Sequence, residues 1–164
     1  MEVLQAIKTK RAIRQFSSQP VTRDTIRKIL DAGRRAQSSK NTQPWSFVVI
    51  TQQDTLVELA RCGRYAGHLA GAAFAVVLVS DTDWAFDTGQ AAAYLQLAAW
   101  ALGIVSCLAY LGEAERAKAL LGVPAEKHLE IAISFGYPAE PPPAELRLGG
   151  RKALEEVVHW ETYK

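Results

Sequence analysis

Thr88–Leu102, TGQAAAYLQLAAWAL, is the stretch on which the fold turns. Alanine, leucine and glutamine dominate it, and these are strong helix formers. Its apolar residues run nearly all the way round the helix. Such a helix is buried on every side instead of lying half-exposed on a surface. The alanines permit close backbone approach, and a single small domain has few ways to enclose a whole cylinder. The segment therefore predicts a helix with a second subunit packed against it.

Working outward, Gly103 stops this helix and Ile104–Leu108 reads as a strand. Ala72–Ser80 and Leu129–Phe135 are further strands, rich in β-branched residues. Trp45–Ile50 reads as a buried strand entered from Pro44, which is expected to hold Gln43 extended. Val3, Leu4 and Ile7 mark a short first helix. Thr22 caps a second helix, with Asp24 in its first turn and Ile26, Ile29 and Leu30 on its apolar face. Asp54–Arg61 and Glu113–Leu121 complete the helices, the latter ended by Gly122 with Pro124 beyond. Mixed strands and helices imply an α+β or α/β sandwich.

The 164 residues fit one domain, 49% apolar and 22% charged, as in an ordinary soluble globular protein. A net charge of +2 points away from nucleic acid and from an anionic membrane. The longest apolar run, Leu69–Val79, is too short to span a bilayer as a helix, and the N-terminus lacks a signal peptide's apolar core. A cytoplasmic protein is expected. Cys62 and Cys107, without CxxC spacing, read as buried reduced thiols. After Glu140-Pro141-Pro142-Pro143 the chain ends in LEEVVHWETY, which is apolar enough to dock on something. An arm from about residue 140 that reaches across a neighbour fits both features.

Three constellations bear on function. In Lys10-Arg11-Ala12-Ile13-Arg14, an extended chain puts Lys10, Ala12 and Arg14 on one side. Two cations with a small residue between them can cradle a phosphate. Alone, the pattern is more often a solvated basic helix end. A second basic cluster, Arg147, Arg151 and Lys152, follows the proline run, and cations converging from separate segments hold a phosphate dianion best. The third is Ser38–Trp45, SSKNTQPW. Ser38, Ser39 and Asn41 offer short donors and acceptors suited to a polyhydroxyl chain or a heterocycle edge. Trp45 reads as the loop's anchor in the core.

Other chemistries find no motif. There is no GxGxxG, P-loop, GxSxG or HExxH, and Gly63, Gly67 and Gly71 at four-residue spacing read as helix packing. Asp81, Asp83 and Asp87 suit strand-end and helix-cap roles better than a metal site, and burial is the favoured account of Trp84 and Phe86 between them. His68, His128 and His159 read as structural.

Along nearly its whole length the chain resembles the nitroreductase family of FMN-dependent oxidoreductases. KRAIRQF at Lys10–Phe16, SSKNTQPWSF at Ser38–Phe47 and DTGQAAAYLQLAAWALGIVSC at Asp87–Cys107 are similar to successive family segments. SFGYPAE at Ser134–Glu140 and GRKALEEVVHWETY at Gly150–Tyr163 follow in the family's order. The resemblance implies a single α+β domain, an α/β/α sandwich around a mainly antiparallel sheet, forming an intertwined homodimer with FMN at its interface. It implies that Lys10, Arg11, Ala12 and Arg14 meet the FMN phosphate and ribityl end, with Arg151 and Lys152 completing the phosphate site. Ser38, Ser39 and Asn41 would reach the flavin bound mainly by the other subunit. NADH or NADPH would donate hydride, and a nitroaromatic, quinone or similar acceptor would take the electrons in a ping-pong cycle. No residue is assigned as catalytic, because the cofactor carries the chemistry. A non-catalytic flavin carrier or sensor, or a same-fold enzyme such as a dehalogenase, is the alternative. Ala12 stands where the family usually has serine, Lys10 where it has arginine, and Tyr110 near a position often occupied by glycine.

Overall fold

The computed structural model describes residues 1–143 and 150–163, so Arg147 and residues 144–149 of the predicted arm lie outside the described residues. Among the described residues, strands β1 (Trp45–Ile50), β2 (Phe74–Ser80), β3 (Val105–Tyr110) and β4 (His128–Gly136) form one sheet. Its order is β1-β2-β4-β3, and every neighbouring pair is antiparallel. All residues of β2 are buried. Cover on both faces explains why that run is apolar without alternation.

Helices α1 (Val3–Thr9), α2 (Arg23–Gly33), α3 (Gln53–Ala60), α4 (Ala85–Ala101) and α5 (Ala114–Leu121) supply the cover. On one face Ile26 and Ile29 of α2 and Ala91, Leu95 and Ala99 of α4 pack on Phe74, Val76, Ile133 and Phe135. Phe74 and Phe135 stack there with ring centroids 4.8 Å apart. On the other face Leu56 and Leu59 of α3 and Ala117 of α5 pack on Val77, Ala109 and Ala132. The result is the expected α+β sandwich with an antiparallel sheet between helical layers.

Local signals work as expected at most ends. The Thr22 hydroxyl accepts from Thr25 N–H at the start of α2. Gly103 (φ +77°) and Gly122 (φ +65°) take the left-handed conformation that ends α4 and α5. After α1 the chain passes β3, and Phe16 then bridges Pro138 beyond β4. Ala12 forms a parallel bridge with Ser106, and Ile13 N–H donates to Ser106 O at 3.1 Å.

Three expectations are corrected. The helix-packing reading of Gly63, Gly67 and Gly71 fails, because α3 stops at Ala60 and only a short 3-10 turn spans Gly67–Gly71. Gly63 is instead required because a Cβ there would strike the Tyr110 carbonyl. Gln43 is not extended but has φ +49°. The Ser38 hydroxyl accepts from Gln43 N–H at 2.9 Å and holds that curl against the preference set by Pro44. Within one chain Tyr94 of α4 is 44% exposed, on a side that the expected second subunit would cover. Trp84 and Phe86 are not buried either; they stand at the N-cap and in the first turn of α4 with side chains that meet solvent instead of the core, 59% and 63% exposed.

Candidate functional site

The basic segment after α1 is placed by its pairing with Ser106. Gln96 of α4 fixes Ser106 in turn, its side-chain amide donating to the hydroxyl at 3.2 Å. Extension past Ala12 carries Lys10 and Arg14 to the same stretch of β3. There the Cys107 thiol is pushed up by burial, an effect opposed by the positive charges of Arg14 and Lys10. Burial pushes the Lys10 ammonium down, and the nearby Arg151 guanidinium pushes it in the same direction. Cations from opposite ends of the chain therefore act on one place. Among the described residues, no ion pair engages Lys10, Arg14 or Arg151. A half-buried lysine beside other cations, with no carboxylate paired to it among the described residues, is a cradle suited to an anion.

Not every predicted residue joins it. Arg11 Nη1 donates to the carbonyls of Lys8 at 2.9 Å and Lys10 at 3.1 Å, so its guanidinium serves the end of α1. Ala12 is exposed and contributes backbone to the bridge with Ser106. Lys152 is exposed next to Arg151.

Ser38, Ser39 and Asn41 lie on a tight loop with a 3-10 turn over Ser39–Asn41. Lys40 (φ +52°), Asn41 (φ +56°) and Gln43 (φ +49°) are all left-handed. Non-glycine residues reach that region at a cost of about 1 kcal/mol or more each, and such strain clusters at functional loops. The anchor is one that sequence reasoning missed: Asp87, 4% exposed in the first turn of α4, accepts from Ser39 N–H at 3.1 Å. Asp87 had been read only as a cap or strand-end residue, since nothing in the sequence says which distant amide meets a carboxylate. Trp45, half-buried against the α2–α4 core, anchors the loop's other end as expected.

Within one chain the loop and the cradle stay apart. Asp87 holds the loop at the start of α4, whereas the Trp100 indole donates to Thr9 Oγ1 at 2.9 Å beside Lys10. At 1.5 Å per residue, Asp87 and Trp100 lie about 20 Å apart along the helix.

Other ionisable clusters offer less. Among the described residues no group of His, Cys, Asp or Glu side chains could hold a metal, and no helix is long and apolar enough to cross a membrane. Cys62 and Cys107 are free and buried. His68 lies 2.8 Å through Nδ1 from Ser134 Oγ, which donates to Cys107 O at 3.2 Å. Burial, aided by the Arg14 charge, holds the His68 pKa below its ordinary value.

A family model described as the nitroreductase family matches residues 7–66 and 60–137. A protein of Archaeoglobus fulgidus named for NADH dehydrogenase and NAD(P)H nitroreductase activity is 33% identical over 151 residues, covering 85% of this chain and 87% of its own. Among solved structures, an FMN-dependent nitroreductase from Clostridium difficile R20291 superposes with a TM-score of 0.87 at 28% identity, covering 98% of this chain and 99% of that one. A nitroreductase in complex with FMN from Desulfovibrio desulfuricans gives 0.81 at 29% identity, over 100% and 99% of the two chains.

Proposed function

Because this chain belongs to the nitroreductase family, we propose that it is an FMN-dependent NAD(P)H oxidoreductase that reduces nitroaromatic, quinone or similar small acceptors in a ping-pong cycle. When bound, FMN would supply the two-electron chemistry between NAD(P)H and an acceptor. The protein's task is to hold, orient and shield.

The observation that carries the reading is the uncompensated charge at β3. The Arg151 charge acts on Lys10 with no carboxylate paired to either among the described residues, and Arg14 and Lys10 act on the same Cys107. A phosphate there would relieve that repulsion through charge-assisted hydrogen bonds. Arg14 and Arg151 provide planar forks, and Lys10 a point charge. Ser38, Ser39 and Asn41 are assigned to the flavin held by the other subunit, which the separation along α4 favours, with Asp87 keeping Ser39 in register. Arg11 and Lys152 are left as peripheral contacts, and Ala12 as a backbone one.

The purified protein should show the absorbance of an oxidised flavin, bleached anaerobically by NADH or NADPH. Arg14→Ala and Arg151→Ala should each weaken FMN binding by about 1.5–3 kcal/mol, roughly 10- to 150-fold in Kd. Undiminished flavin retention in both variants would remove the phosphate assignment. A yellow protein that neither nicotinamide bleaches would be a carrier instead.

A further inference from the structure

The loop over residues 38–43 is held in a conformation that its own sequence resists. Lys40, Asn41 and Gln43 are left-handed, at φ +52°, +56° and +49°, and none is glycine. Asn41 N–H donates to Ser38 O and Thr42 N–H to Ser39 O, each at 3.0 Å, and Gln43 N–H donates to Ser38 Oγ at 2.9 Å. These bonds curl the loop, but each begins and ends within it. Across 48 residues of sequence, Ser39 N–H donates to Asp87 Oδ2 at 3.1 Å and so ties the loop to α4.

Asp87 is 4% exposed, and burying a carboxylate is costly unless its charge is compensated. Among the described residues no cation pairs with it. What compensates it is the positive end of α4, in whose first turn it stands, together with the Ser39 amide. Packing alone has no need of a charge there; the carboxylate's effect is on the loop. We propose that Asp87 is a positioning residue that sets Ser38, Ser39 and Asn41 for the flavin before it binds, so that binding need not order a strained loop. This rests on the flavin reading above, which assigns the loop to the cofactor held by the other subunit.

The test is fluorescence titration of the full chain, freed of flavin, with FMN and with riboflavin. Asp87→Ala should raise both dissociation constants by a common factor of about tenfold, because the loop is assigned to the parts that the two flavins share. Asp87→Asn keeps an acceptor oxygen for Ser39 N–H and should hold both within about threefold of the native values. Ser39→Pro removes the donor instead, at the first position of a 3-10 turn whose preceding residue, Ser38, is already extended (φ −142°, ψ 158°). It should weaken both flavins beyond the effect of Ser39→Ala, and adding Asp87→Ala to it should weaken them no further. Unchanged affinity in Asp87→Ala, an Asp87→Asn variant as weak as Asp87→Ala, or additive losses in the double variant would overturn the positioning role. Should Asp87→Ala fail to fold, Ser39→Pro decides, and affinity equal to that of Ser39→Ala overturns it. A native chain that takes up no FMN defeats the functional reading and this role with it, whereas one that binds FMN and ignores the loss of Asp87 defeats the role alone.

Discussion

His68 illustrates how much a single side chain's surroundings decide. Ser134 Oγ gives its proton to the Cys107 carbonyl, so it accepts from His68 Nδ1–H. With its folded pKa below the ordinary 6.5, the unfolded chain binds the proton more readily. Stability from this group is therefore complete above pH 6.5 and is lost as pH falls through the lower folded value. Denaturant midpoints of the native protein should drop between pH 7 and 5, and those of His68→Asn should drop less. Equal acid sensitivity would assign the loss to other groups. The histidine was legible only as structural, because neither Ser134 nor Arg14 is close to it in sequence. Lys10 and Arg14 were legible as a pair, since a four-residue separation in an extended segment puts both on one side. Arg11 diverged because a helix end with unpaired carbonyls lay within its reach.

Between elements, the closest approach is that of α2 to α4. A Cβ on Gly33 would lie 2.5 Å from Leu95 Cδ2 and 2.6 Å from its Cγ. Leu95 is fully buried and cannot swing aside. Gly33→Ala should cost roughly 1–3 kcal/mol through overpacking, despite alanine's better helix propensity. At about 2–4 °C per kcal/mol for a domain of this size, the Tm should fall measurably. An unchanged or raised Tm would mean that the two helices can part without cost. The strands and most helices were readable from periodicity and from the caps at Thr22, Gly103 and Gly122. The loop geometry was not. Gln43 obeys a hydrogen bond to Ser38 and not the local preference before proline.

On the scale of the whole molecule, apolar surface remains without cover. Val3, Leu4 and Ile7 of α1 face outward, as do Leu108 and Tyr110 of β3. In the tail, Leu154, Trp160 and Tyr163 are 68%, 79% and 90% exposed. Monomeric proteins seldom leave so many large apolar side chains open on several elements. We propose that a homodimer, with the arm from about residue 140 crossing its partner, covers them. Sedimentation equilibrium should give twice the chain mass, and Trp160→Ser should shift the equilibrium toward monomer. Because the loop and the cradle would then belong to different subunits, flavin should be released on dilution in step with dissociation. A monomer that keeps its flavin would refute the shared site.

By itself the sequence determined the layered α+β architecture, the extended basic segment and the polar loop, since side-chain period, capping residues and proline act over a few neighbours. It also foretold that α4 needs cover beyond its own domain, because an apolar cylinder exposes some face unless something surrounds it. Only the tertiary structure decided which charges meet. Lys10 feels the charge of Arg151 although the two lie at opposite ends of the chain, a proximity that no local rule encodes. The same holds for Asp87 and Ser39, and for the outward turn of Trp84 and Phe86: burial and partnership depend on what the rest of the chain places alongside.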